Sequence, residues 1–355
     1  LNVTSLPIIH NIQSLRAVAA LSVVYLHVVS DAGLNLTIGA GSFGVDLFFV
    51  ISGFTMAYVG KLPARQFVIR RCIRIVPFYW MATLGTFCIA YVNPALVQSA
   101  AADVRHLVYS LAFLPYPNGT GRLQPMLALG WTLNYEMYFY ALFAVALTLT
   151  ERFAPLLACL MIGTVWAAIT LSGTHNRTAL FYADPIVFEF AFGVLVHYVT
   201  SQALRAETRF VGPSGLRRLL SITAAASVVA LPLLEHFSTR SRVVTAGLPA
   251  AVLVLAAVLL ELKCRVVESR PWTDLLGDAS YILYLVHPYV VYGIIRLFLH
   301  PSRMGPAALT VAILLLPLAA SGVAIGLHLW LEMPVIRLLR RRFAERRPVL
   351  IPAVT

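Results

Sequence analysis

Charge is what this sequence has least of. Only 12% of its 355 residues are Asp, Glu, Lys or Arg, against 59% hydrophobic, and the mean hydropathy is +0.82. A water-soluble domain carries about 25% charged residues, so too few are present to cover a 38.9 kDa body in water. Lysine is nearly missing, present only as Lys61 and Lys263. The four cysteines, Cys72, Cys88, Cys159 and Cys264, stand far apart, and neither a disulfide framework nor a metal site follows from them. Glycine (21) and proline (20) are scattered without a period, which excludes a collagen-like chain, and the long apolar runs exclude disordered and coiled-coil chains. No short basic region precedes the first apolar segment and Arg16 sits inside it, so that segment reads as a retained span rather than a cleaved signal.

What is there is a series of apolar runs of membrane length. About 20 residues cross the roughly 30 Å of hydrocarbon, and about ten such runs emerge: 12–30, 42–59, 75–92, 131–149, 154–171, 183–200, 216–234, 246–262, 279–299 and 306–330. The predicted fold is an all-α polytopic bundle. The stretch 104–115 is apolar but short and ends in Pro115 and Pro117, so it reads as a re-entrant or interfacial piece. The net charge of +12 falls in short basic runs between apolar stretches, which is the pattern of membrane orientation and excludes a nucleic-acid-binding face. With the N-terminus inside, cytoplasmic connections and the tail hold about 19 of the 27 basic residues, which predicts N-in and C-in. Residues 1–335 form the expected membrane domain and 336–355 a basic cytoplasmic tail, its Arg340, Arg341, Arg342, Arg346 and Arg347 anchoring topology on anionic lipid. No internal repeat suggests an inverted-repeat transporter.

Ionisable groups inside a bilayer cost at least a few kcal/mol each, so Arg16, His27, Asp46, Glu136, Glu189 and His287 are functional candidates. Arg16 and His27 are eleven residues apart, three helical turns plus about 20°, and so share one face about 16 Å apart along the axis. Asp46 and Glu136 lie a few residues into the second and fourth spans, at about the depth of His27. A carboxylate there would orient the histidine and favour its cationic form, as general-base work requires. Interhelical hydrogen bonding is the other use of such groups. Of Arg70, Arg71 and Arg74 beside the third span, Arg71 and Arg74 at i, i+3 can clamp phosphate together if helical, although topology alone also places arginines there.

Taken in order, these residues resemble the acyltransferase-3 family of polytopic membrane acyltransferases, which modify bacterial surface carbohydrates. The resemblance spans nearly the whole chain. It rests on Arg16 to His27 in LRAVAALSVVYLHV, GVDLFFVISGF from Gly44 to Phe54, and Arg71 and Arg74 in RRCIRIVPFYW. GWTLNYEMYFY (Gly130 to Tyr140) is similar to the family's Trp-Ser-Leu-x-x-Glu segment, with Thr132 and Asn134 as departures. SYILYLVHPYV (Ser280 to Val290) and Glu332 with Pro334 resemble its late segments, and the chain most resembles the branch that acetylates exopolysaccharide.

The resemblance implies a donor that is a cytoplasmic acyl-CoA, acetyl by default, and an acceptor that is a glycan or lipid-linked saccharide, with no tightly bound cofactor; with no metal cluster visible in the sequence, a metal-free reaction is expected. Arg16, Arg70, Arg71 and Arg74 are then available for the CoA phosphates, and His27 is the base or transient acyl carrier, helped by Asp46 or Glu136. Tyr135, Tyr138, Tyr281 and Tyr284 have rings suited to stacking on sugars, or to ordinary packing, and His287 serves the acceptor or buttresses the site. A fused hydrolase-like domain, found in some relatives, is not expected, so a second half-reaction would fall to the membrane domain or to a separate protein; polysaccharide-assembly proteins are among the partners the resemblance implies. The competing expectation is a transporter or flippase, whose pathway also uses buried His, Arg and carboxylates. A non-enzymatic scaffold explains none of the buried ionisable groups.

Overall fold

The structure, a computed structural model, describes residues 8–31, 41–59, 62–97, 102–119, 121–206, 212–237, 241–267, 271–297 and 306–344. Among these residues fourteen α-helices follow one another: α1 His10–Asp31, α2 Phe43–Val59, α3 Ala64–Val92, α4 Val104–Leu111, α5 Trp131–Leu149, α6 Ala154–Leu171, α7 Arg177–Tyr182, α8 Phe188–Arg205, α9 Pro213–Phe237, α10 Leu248–Leu262, α11 Pro271–Asp278, α12 Ser280–Leu297, α13 Pro306–Leu327 and α14 Met333–Leu339. No strand occurs among the described residues beyond an isolated bridge between Pro117 and Leu123. Among the described residues seven helical segments are long and apolar enough to cross a membrane, fewer than the about ten expected, and Phe43–Val59 and Ser280–Ile295 are shorter apolar helices. A helix satisfies its own backbone polar groups, which hydrocarbon cannot do. Leu156 and Leu160 on α6, Ile222 and Val229 on α9, and Leu314 and Leu318 on α13 are exposed, as a lipid-facing surface requires.

The described part of each expected apolar run is helical, but two boundaries differ from the sequence reading. The third helix begins at Ala64 rather than 75, so Arg65, Arg70, Arg71 and Arg74 lie within it. Charge ends an apolar run without ending a helix, because arginine is a good helix former and its long side chain reaches away from the axis. At the other end no break occurs at 335. A π-helical turn, His328–Glu332, joins α13 to α14, and a second, Arg340–Ala344, follows. Arg346 and Arg347 lie outside the described residues.

Helix α1 is the centre of the bundle, packed against α2, α10, α11, α12 and α13. Its N-terminal N–H groups have no intrahelical acceptor. Glu261 at the end of α10 supplies one, accepting from the His10 and Asn11 amides at 3.0 and 2.7 Å. Asn11 in turn donates to the Ala257 and Val266 carbonyls. Helices α2 and α8 meet backbone to backbone. A Cβ on Gly53 would lie 2.0 Å from the Phe190 carbonyl oxygen, and one on Gly193 2.0 Å from that of Val50. Small residues are what allow such an approach.

The expected short piece at 104–115 is α4, capped by Asp103, whose side chain accepts from the Arg105 amide. It organises the loop that follows. His106 donates from Nε2 to the Gln124 carbonyl at 2.8 Å, and the Met126 amide donates to Ser110 Oγ at 2.7 Å.

Candidate active site

Two cavities lie back to back in the bundle. The first, about 290 Å³, is lined by Arg16, Arg71, Arg74, Glu136, Tyr140 and Tyr281 among its polar side chains. Arg16 donates to Gln13 Oε1 at 3.2 Å and to Ser280 Oγ at 3.0 Å, and the Arg71 guanidinium lies over the Phe67 and Tyr140 rings. Among the described residues none of the three arginines forms an ion pair. Among the described residues Glu136 is the only carboxylate lining this cavity, and its Oε1 accepts from the Tyr140 hydroxyl and from Ser52 Oγ at 3.4 Å. Three cations against one anion leave the cavity electropositive, and guanidinium forks suit phosphate or carboxylate.

The second cavity, about 650 Å³, is lined by His27, Arg122, Gln124, Trp131 and Arg242. His27 Nδ1 lies 3.0 Å from the Val23 carbonyl. A carbonyl only accepts, so Nδ1 carries the proton and Nε2 keeps its lone pair, the tautomer a general base needs. His287 repeats the arrangement, with Nδ1 3.0 Å from the Leu283 carbonyl and a buried Nε2 without a partner. The two imidazoles meet edge to face, 5.0 Å between centroids.

Neither Asp46 nor Glu136 hydrogen-bonds His27 among the described residues, contrary to expectation. Asp46 is fully buried and held bidentately by Arg242, Nε to Oδ1 at 2.9 Å and Nη2 to Oδ2 at 2.7 Å. Glu136 faces the other cavity. Position along a span does not say from which side of the helix a carboxylate projects. The ring neighbour of His27 is His287 instead.

The remaining candidates divide. Arg70 is exposed and lines neither cavity, being about 100° round the helix from Arg71. Tyr135 is buried against α7, its ring stacked on Phe181 at 4.2 Å and its hydroxyl donating to the Phe181 carbonyl at 2.7 Å. Tyr138 packs on Tyr182. Both stand away from the cavities. Tyr281 lines the arginine cavity and donates to the Ile75 carbonyl at 2.7 Å, and Tyr284 lines both cavities. Glu189 is buried against Asp46 and Gly247. Glu332 accepts from His328 Nδ1 at 2.5 Å in the π turn after α13.

Sequence reasoning missed Arg242, Arg122, Trp131 and Tyr140. A signal for Arg242 was present: a carboxylate as deep as Asp46 requires a cation, and Arg242 sits just ahead of the apolar run that starts at 246. The π-helical turn Val243–Gly247 follows it directly; such turns recur at functional sites.

An all-α membrane body with an arginine-lined cavity set against a histidine-lined one is the architecture of a multi-pass group-transfer protein. The chain belongs to the acyltransferase-3 family, whose profile, described as "Acyltransferase domain", matches residues 9–326. It is similar to the exopolysaccharide production protein ExoZ of Rhizobium meliloti (strain 1021), 32% identical over 89% of this chain and 95% of that protein. It is 27% identical to the acyltransferase MdmB of Streptomyces mycarofaciens, over 96% of this chain and 93% of that one. With the putative peptidoglycan O-acetyltransferase YrhL of Bacillus subtilis (strain 168) it shares 26% identity over 80% of this chain, but only 48% of that longer protein. No solved structure matches. The protein is an acyltransferase, embedded in a membrane by several helices.

Proposed function

We propose that this acyltransferase moves an acyl group, acetyl by default, from cytoplasmic acyl-CoA to a hydroxyl of a surface or extracellular polysaccharide or its lipid-linked precursor, in the bacterial cytoplasmic membrane. One observation supports this above the others: Arg16, Arg71 and Arg74 line one cavity, His27 lines the next, and the two share a wall. In this reading the arginine cavity opens to the cytoplasm and holds the CoA phosphates, while the acceptor enters beside His27, Trp131, Gln124 and Arg122. The roughly 16 Å rise from Arg16 to His27 is of the same order as an extended pantetheine arm, so CoA itself need not cross.

His27 Nε2 takes the proton of the acceptor hydroxyl as its oxygen bonds to the thioester carbonyl carbon. The C–S bond then breaks and the proton passes to the CoA thiolate, giving an ester and free CoA thiol. Alternatively Nε2 attacks the thioester carbon, expelling the CoA thiolate, and the acyl group then passes from Nε2 to the acceptor oxygen as the hydroxyl proton goes to the thiolate. The names of similar proteins, which include exopolysaccharide production and O-acetyltransferase activity, favour a carbohydrate hydroxyl as the acceptor.

The test is acetyl-CoA turnover by purified protein in nanodiscs with a crude surface-glycan acceptor. The His27→Ala variant should lose transfer by about 10²–10⁴-fold, the usual worth of a general base, while still inserting and folding. Full activity in that variant would sink the mechanism. No CoA release by wild type with several donors and acceptors would favour a transporter.

A further inference from the structure

Two side chains, Val45 and Tyr284, line both cavities. Val45 is small. The larger part of the wall is the buried phenol of Tyr284, and it is latched from α5 and the turn before it. Its hydroxyl lies 2.8 Å from Thr132 Oγ1 and 3.0 Å from the Leu129 carbonyl, and Thr132 Oγ1 is 3.1 Å from the same carbonyl. Two hydroxyl protons serve three oxygen–oxygen edges, so two of the three contacts are hydrogen bonds at any moment and the protons can exchange between them. The ring neighbours His287, 6.1 Å between centroids, and meets Phe48 in a T-shaped contact at 6.2 Å.

The backbone beneath this ring lacks one rung of the α12 ladder, and the His287 imidazole lies against the carbonyl concerned, that of Tyr284. Pro288, four residues on, has no N–H, so the Tyr284 carbonyl receives no helical hydrogen bond from it. Helices bend at such a point. A residue that walls two cavities, is held by side-chain hydrogen bonds from another helix, and sits on a weakened turn has the parts of a movable partition.

We infer that Tyr284 is the partition between the donor and acceptor cavities, and that it selects which acyl groups reach His27. With the latch closed, a thioester entering past the arginines ends against the phenol. When the hydroxyl leaves Thr132 and Leu129, the ring swings and the acyl carbonyl passes; the room left beside the ring sets the length admitted. Thr132 acts through Tyr284 and is a positioning residue. This inference rests on the acyl-CoA reading above.

The experiment compares CoA release from acetyl-CoA and butyryl-CoA, with and without glycan acceptor, for full-length protein in nanodiscs. Wild type should favour acetyl. Tyr284→Ala should raise the butyryl-to-acetyl ratio about tenfold or more, since methylenes in a confining pocket discriminate on that scale. Thr132→Val, which cannot hydrogen-bond, should raise acceptor-independent hydrolysis several-fold, and Thr132→Ser should restore the wild-type value; a merely structural threonine would not separate these two. An unchanged acyl ratio in a folded Tyr284→Ala protein that still transfers acetyl overturns the partition alone. If Tyr284→Ala does not fold, equal hydrolysis by Thr132→Val and Thr132→Ser overturns it. No CoA release by wild type from either donor removes the acyl-CoA reading, and the partition with it.

Discussion

At the scale of single residues, the most constrained group is the Asp46 carboxylate. It is 0% exposed, its cation Arg242 is 36% exposed, and a second carboxyl, Glu189, lies buried beside it. The two partners should therefore respond unequally to loss. Asp46→Asn leaves a guanidinium that water can reach, whereas Arg242→Ala strands a buried negative charge next to another acid. Stranding one partner of a buried pair costs about 3–5 kcal/mol. Thermal unfolding in detergent should show Arg242→Ala as the more destabilised variant; equal midpoints would mean that Asp46 is not held as an anion. The sequence made His27 legible through its spacing from Arg16, because helical periodicity is arithmetic. It did not reveal that His287 is the ring neighbour of His27, since two helices distant in sequence decide that contact.

At the scale of helices, apolar run length located the helices but not which of them cross: about ten spans were expected, and among the described residues seven segments are long and apolar enough, the polar start of Trp131–Leu149 keeping it out of that set. It also misjudged two ends, both for one reason. Hydropathy reports where lipid stops, while hydrogen bonding decides where a helix stops, so α3 carries its arginines inside its first turns and α13 runs on through a π turn. The close approach of α2 and α8 was equally hidden, because Gly53 and Gly193 are among 21 glycines and only the fold pairs them. Gly53→Ala should drive a Cβ into the Phe190 carbonyl and cost about 1–3 kcal/mol, as overpacking does. Gly163→Ala in α6, where a Cβ meets nothing within 4 Å, should instead be neutral or stabilising by up to about 1 kcal/mol. Unfolding curves for the two variants side by side make the comparison, and matching shifts would deny that α2 and α8 are in backbone contact.

At the scale of the whole molecule, the proposed orientation and the two cavities make one statement about sidedness. Sealed proteoliposomes, sorted by protease access to a tag after residue 355, should consume acetyl-CoA only when it is supplied on the tagged face. Consumption from the opposite face alone would reverse the proposed topology. The charge asymmetry that suggests this orientation was legible from the sequence, since Arg and Lys counts need no structure. That Arg16 and His27 belong to separate cavities was not legible, because both line up on one face of α1 and only neighbouring helices close the space between them.

The thin wall at Tyr284 also has an electrical meaning. If water fills the cavity on each side, the insulating layer of the membrane narrows locally to about one aromatic ring, and most of the transmembrane voltage falls across it. A neutral acetyl group passing that ring is indifferent to the voltage. An acyl group bearing a carboxylate is not: an interior-negative potential pushes it outward by about 2.3 kcal/mol per 100 mV for a full charge, so respiration, and not only recognition, would shape which ester the cell displays.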